Sequence, residues 1–142
     1  MTSAAASSVL LKTSPCLPAR VIEEPELAAV STELELPAGA ELFDLRFSVG
    51  PDKSGMKIVL ADLCVPDANT VDDLRSAASF VARSVKDSQV GKHVGTIYVT
   101  GLGSPEIKYR SYLVDENFQV NPWDNSVSQS DGLLLWEIYE QP

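Results

Sequence analysis

The chain has 142 residues, of which 44% are apolar and 22% are charged, so it fits one globular domain that buries about two-thirds of its unfolded surface. Twenty acidic against eleven basic side chains give a net charge of -9, which repels phosphate backbones and anionic membrane surfaces. The basic residues are scattered along the sequence, which argues against nucleic acid as a direct partner. No apolar run approaches the roughly 20 residues of a membrane-spanning helix, which argues against insertion into a membrane.

Residues 1–22 are rich in Ser and Ala and contain no acidic side chain. We expect an extended N-terminal arm, with the apolar triplet Val9, Leu10 and Leu11 docking on a neighbouring subunit. The same composition suits an organellar transit segment, and that alternative stays open, whereas the apolar triplet is too short for a secretory signal. Residues 23–142 are expected to form a single globular domain.

In the first half of the chain, alternation of polar and apolar residues predicts strands over 30–36 and 43–49. Turn-forming residues at 37–40 predict that these two strands pair antiparallel. After a second turn at 50–55, the apolar run 56–65 predicts a more fully buried strand, which ends before Pro66.

One amphipathic helix is predicted over about 70–86. Thr70 can cap this helix, and Asp72 and Asp73 lie in its first turn, where negative charge is favourable. Apolar residues recur at spacings of three and four from Val71 to Val85, so they form one face. We expect this face to cover a sheet.

The second half of the chain returns to strand patterns, over 94–100, 106–114, 118–120 and 133–139, the last of which contains Trp136. Six to seven strands with one helix predict an α+β or mainly β fold. The arrangement is either an antiparallel sheet covered by the helix or a sandwich, and the sequence leaves both open.

The sequence nominates no catalytic residue, no metal ligand and no cofactor. His93, the single histidine, stands between Gly91 and Gly95, where a turn is a commoner role than catalysis. Cys16 and Cys64 lack the spacing of a zinc site, and the apolar run around Cys64 favours a buried free thiol over a disulfide. The acidic groups match no calcium-binding loop.

Trp123 is the second interaction candidate, because it stands in a polar loop and aromatic side chains carry much of the binding energy at interfaces. The alternative is that its indole folds back as a lid over the core.

These observations favour a structural protein that acts through protein–protein contacts, assembling with copies of itself or with other subunits. The concrete expectation is a coat, capsid-surface or decoration subunit of a virus or phage, located in the virion. Otherwise the location is cytoplasmic, or organellar if residues 1–22 are a transit segment. The first alternative is a monomeric module that binds a small ligand or peptide near Trp123, Tyr109 and Tyr112. The second is a small enzyme that uses His93 or Cys64.

Overall fold

The computed structural model describes residue 16 and residues 18–37, 39–65, 71–102, 110–123 and 129–141. In chain order these contain α1 (Pro25–Glu33), β1 (Glu41–Phe47), β2 (Lys57–Cys64), α2 (Val71–Asp87), β3 (Val94–Leu102), β4 (Arg110–Asp115), α3 (Gln129–Leu133) and β5 (Glu137–Gln141). The strands form one mixed sheet in the order β1-β2-β3-β4-β5. The fold is α+β, but its described part has five strands rather than the predicted six to seven, and three α-helices rather than one.

The sheet differs from the predicted antiparallel one at its centre. β2 and β3 pair in parallel, with Val59 opposite Ile97 and Ala61 opposite Val99, whereas the other three pairs are antiparallel. The reason is α2, which carries the chain from the end of β2 back to the edge of the sheet at which β2 began, so that β3 runs in the same direction. A crossover of this kind is what a parallel pair requires.

The strand predicted over 30–36 is wrong, because α1 occupies most of that segment. Pro25 stands at the first turn of α1 and Glu26 follows it, two features that favour the start of a helix. Leu27 and Val30, three residues apart, are both buried against the core. β1 therefore pairs with β2 and not with residues 30–36.

The C-terminal prediction is also corrected. Residues 118–120 form a turn, and the segment predicted as a strand over 133–139 begins at the end of α3 and enters β5 only at Glu137. Trp136 lies just before β5, and its Nε1 donates to Ser79 Oγ of α2 at 3.0 Å. This hydrogen bond and the burial of the indole explain why an apolar run here does not have to be a strand.

The core lies between the sheet and α2. From Leu74 to Val85 the apolar face predicted for this helix is buried, and the strand residues that pack with it come from β1 to β4. The fully buried members include Leu45, Val59, Leu63, Ala78, Val81, Val85, Ile97, Val99 and Leu113. Among the described helices, none is long and apolar enough to cross a membrane.

Candidate interaction surface

The two faces of the sheet have different surroundings. A Cβ placed on Gly101 of β3 would lie 2.9 Å from Leu74 of α2, so Gly101 points toward the helix. Ile97 and Val99 share this face because strand residues alternate, and both are fully buried. The residues between them point away from the helices.

We call the side of the sheet away from α2 the open face. By register and alternation it carries the side chains of Asp44, Arg46, Ile58, Leu60, Asp62, Cys64, Thr96, Tyr98, Thr100, Leu102, Tyr112, Val114 and Glu137. Its aliphatic and tyrosine side chains do not belong to the core cluster; Ile58, Leu60, Tyr98 and Tyr112 are half-buried, and Val114 is buried. A solvated sheet face is usually polar, so an apolar centre of this kind is typical of a contact surface.

A cluster of ion pairs on the open face, beside its apolar centre, links β1 to β2. Arg46 Nη1 donates to Asp62 Oδ2 at 2.9 Å and to Asp44 Oδ2 at 3.0 Å, which ties β1 to β2. Desolvation lowers the pKa of Arg46, but hydrogen bonding to Asp62 and the charges of Asp62 and Asp44 outweigh it and raise the pKa overall. The guanidinium therefore stays charged, and one Arg neutralises part of two carboxylates.

A disulfide attaches the N-terminal segment to the rim of the open face. Cys16 is bonded to Cys64, the last residue of β2, with a Cα–Cα distance of 5.9 Å. Cys64 is buried as predicted, at 6% exposure, but the prediction of a free thiol is wrong, because its sulfur is bonded to Cys16. The Arg20 amide donates to the Phe43 carbonyl at 2.8 Å, where a register irregularity leaves Phe43 outside the β1–β2 pairing. The chain thus passes over the β1 edge and onto the open face.

The loop between β1 and β2 is organised by Asp52. Its Oδ1 accepts from the Ser54 amide, the Ser54 hydroxyl and the Met56 amide at 2.7–3.0 Å, and its Oδ2 accepts from Thr96 Oγ1 at 3.0 Å. A Cβ at Gly95 would collide with Asp52 Oδ2, so only glycine lets the Asp52 carboxylate lie this close to the backbone of β3. The Ser54 hydroxyl lowers the pKa of Asp52 most; desolvation opposes it, and the remaining donors bring the pKa to about 2.

The stability that Asp52 contributes should change with pH only in the acidic range. Because its folded-state pKa is depressed, this contribution is fully present above the unfolded-state value of about 3.9 and is lost as the pH falls toward about 2. NMR titration of the Asp52 carboxyl carbon should give a midpoint near the lower value. Ser54→Ala should raise that midpoint, since it removes the strongest hydrogen bond. A midpoint of about 3.9 in the unchanged chain would contradict this account.

The Asp52 loop also borders a depression in the open face. This depression has a volume of about 480 Å³, and its lining includes Ile58, Thr96 and Tyr98 together with Glu116 and Glu137. The lining also contains Asp52 and one basic residue, Lys53, so its charge is acidic overall, which suits an apolar segment that is neutral or basic. It is less suited to an acidic one, because the two glutamates would repel it.

The interaction candidate Trp123 lies on the opposite side of the sheet. Its indole is 2% exposed and stacks at a tilt on Trp136, with ring centroids 5.1 Å apart. Trp123 Nε1 donates to Asp115 Oδ2 at 2.7 Å, and Asp115 Oδ1 accepts from the Asn117 amide and Asn121 Nδ2, both at 2.8 Å. Of the two arrangements left open in the sequence, the indole adopts the packed one.

The other candidate residues from the sequence do not form a common site in the described part of the chain. Val9, Leu10, Leu11 and Tyr109 lie outside the described residues. Tyr112 is on the open face and Trp123 on the core face, so the groove expected between them does not form in the described residues. His93 is exposed in a 3₁₀ helix over Gly91–His93.

Sequence reasoning missed the open face, including Leu60 and Tyr98. The run 56–65 predicts a more fully buried strand, because eight of its ten residues are apolar. The signal that could have found the open face is the row of polar residues at alternate positions, Asp62 in β2 and Thr96 and Thr100 in β3. Comparison of the chain with protein-family models, with curated proteins and with solved structures finds no match.

Proposed function

We propose that this chain is a structural subunit that assembles through protein–protein contacts, with the open face of its sheet as the contact surface. The observation that carries the proposal is the half-buried apolar and tyrosine centre of that face, formed by Ile58, Leu60, Tyr98 and Tyr112. Tyrosine is enriched at protein interfaces, because it combines a large apolar ring with a polar hydroxyl.

In this proposal the N-terminal arm of one copy docks on the open face of a neighbouring copy, through Val9, Leu10 and Leu11. Residues 1–22 contain two basic and no acidic side chains, a charge of +2, so residues 23–142 contain nine basic and twenty acidic side chains, a charge of -11. The arm and the domain are therefore electrostatically complementary. Exchange of an identical segment between copies is a common route to oligomers.

A coat, capsid-surface or decoration subunit of a virus or phage is the form of assembly that we propose. The acidic domain would repel packaged nucleic acid, which suits a subunit on the outer side of such a particle.

The test compares two Leu→Asp substitutions on different surfaces. Leu60→Asp introduces a charge at the centre of the open face, opposite Arg46 of β1. Leu134→Asp is the matched control, because Leu134 is 76% exposed after α3. Light scattering at concentrations up to about 1 mM, the effective concentration of a short flexible tether, should show oligomers for the unchanged chain and for Leu134→Asp, but monomers for Leu60→Asp.

Two results would overturn the proposal. One is an unchanged chain that stays monomeric over the whole concentration range. The other is a Leu60→Asp chain with circular dichroism and mass identical to those of the unchanged chain.

A further inference from the structure

We propose that, in the isolated chain, the arm segment Val9–Leu11 packs on the chain's own open face, so that the monomer is closed and assembly proceeds by exchange of arms. This inference rests on the open face proposed above as a contact surface. It adds that, before assembly, this face is covered by the arm of the same chain.

The first argument is the position of the tether. The Cys16–Cys64 disulfide holds the base of the arm over the end of β2, on the open face. The hydrogen bond from Arg20 to Phe43 shows that the chain reaches this point from the β1 edge. Cys16 therefore lies on the side of the sheet that carries the apolar centre, away from the face that the helices cover.

The second argument is reach. Leu60 precedes Cys64 by four residues and Ile58 by six, so they lie roughly 13 and 20 Å from Cys64 along β2. Leu11 precedes Cys16 by five residues and Val9 by seven, so an extended arm covers roughly 17 and 24 Å. The spacing between the disulfide and the apolar triplet in the arm thus matches the spacing between the disulfide and the apolar centre in the sheet. A triplet much closer to Cys16 could not reach Leu60.

The third argument is charge. The arm contributes Lys12 between its apolar triplet and Cys16, and it contains no acidic side chain. Cys64 is flanked on the open face by Asp62 along the same strand and by Glu41 across the β1–β2 pair. Lys12 would therefore lie in an acidic region when the triplet is on the sheet. The short tether gives the segment an effective concentration in the millimolar range, so the contact within one chain prevails in dilute solution.

The test uses trypsin on the full, disulfide-bonded chain at low micromolar concentration, where exchange between copies is negligible. Cleavage after Lys12 releases residues 1–12, which mass spectrometry follows over time. Leu10→Asp/Leu11→Asp should release this peptide about tenfold faster, because cleavage tracks the population of the undocked arm. Thr2→Asp/Ser3→Asp is the control, which adds the same charge six or more residues before the triplet and should leave the rate within about twofold of that of the unchanged chain.

The same cleavage measurement on chains with substitutions in the sheet identifies the surface on which the arm docks. Leu60→Asp should accelerate cleavage after Lys12 as much as the arm substitutions do, whereas Leu134→Asp should not. Equal rates in the unchanged chain, Leu10→Asp/Leu11→Asp and Leu60→Asp would overturn the inference. The arm variants keep it testable if Leu60→Asp fails to fold, because their substitutions lie outside the described domain.

Failure of this inference is distinguishable from failure of the proposed function. Protection of Lys12 that depends on Leu60, in a chain that never forms oligomers, would support the closed monomer and overturn assembly. Oligomers that depend on Leu60, with no protection of Lys12 in dilute solution, would support assembly and overturn the closed monomer.

Discussion

Replacing both cysteines, in the variant Cys16→Ser/Cys64→Ser, is expected to lower the free energy of unfolding by up to about 4 kcal/mol. The disulfide closes a loop with a sequence separation of 48, and a cross-link of that length removes about this much conformational freedom from the unfolded chain. The loop contains α1 and β1, so both elements should lose stability together. Chemical denaturation with urea, followed by circular dichroism, measures the change.

The control for this prediction is the reductant itself. Dithiothreitol should lower the stability of the unchanged chain to that of the serine variant, and it should leave the serine variant unaffected. A difference below about 1 kcal/mol between oxidised and reduced chains would contradict the cross-link or its role in stability.

Asp115→Ala is expected to destabilise the fold by about 3 kcal/mol, because a buried donor left without its acceptor costs about 1–3 kcal/mol and Trp123 Nε1 is buried, with smaller losses from the two part-buried donors. Asp115 is 1% exposed and accepts three hydrogen bonds, from Trp123 Nε1, the Asn117 amide and Asn121 Nδ2. Alanine leaves all three donors without this acceptor and opens space beside the Trp123 indole. The turn over 116–121 and the packing of Trp123 on Trp136 should loosen together.

Asp115→Asn is the matched substitution for this site. Asparagine keeps the shape and one acceptor oxygen, but its amide nitrogen faces at least one donor, so its loss of stability should be smaller than that of alanine. Urea denaturation gives both values, and tryptophan fluorescence reports on the indoles. Losses below about 1 kcal/mol for Asp115→Ala would show that the network is not needed for stability.

The sequence predicts α2 and the strands β1, β2 and β3 closely, because each has a local signal. In α2 the acidic first turn and the apolar stripe agree, and in β1 polar and apolar residues alternate. α1 was missed because the alternation from Val30 to Leu36, which predicts a strand, overlaps its last turn.

The candidate site depends on features that no local pattern encodes. Which side of β2 faces the helices is decided by long-range packing, as the contact between Gly101 and Leu74 illustrates. The apolar run around Cys64 indicates burial but not the partner of the thiol, since Cys16 lies far away in sequence and comes close only when the chain passes the β1 edge. The arm triplet could be proposed from the sequence, but its receptor could not.

The central claim is that the open face of the sheet mediates assembly. The most direct test is the solution mass, by light scattering near 1 mM, of the unchanged chain beside Leu60→Asp and Leu134→Asp. The account predicts oligomers for the unchanged chain and for Leu134→Asp, and monomers for Leu60→Asp. Equal masses for all three would contradict it, whether all three were monomers or all three were oligomers.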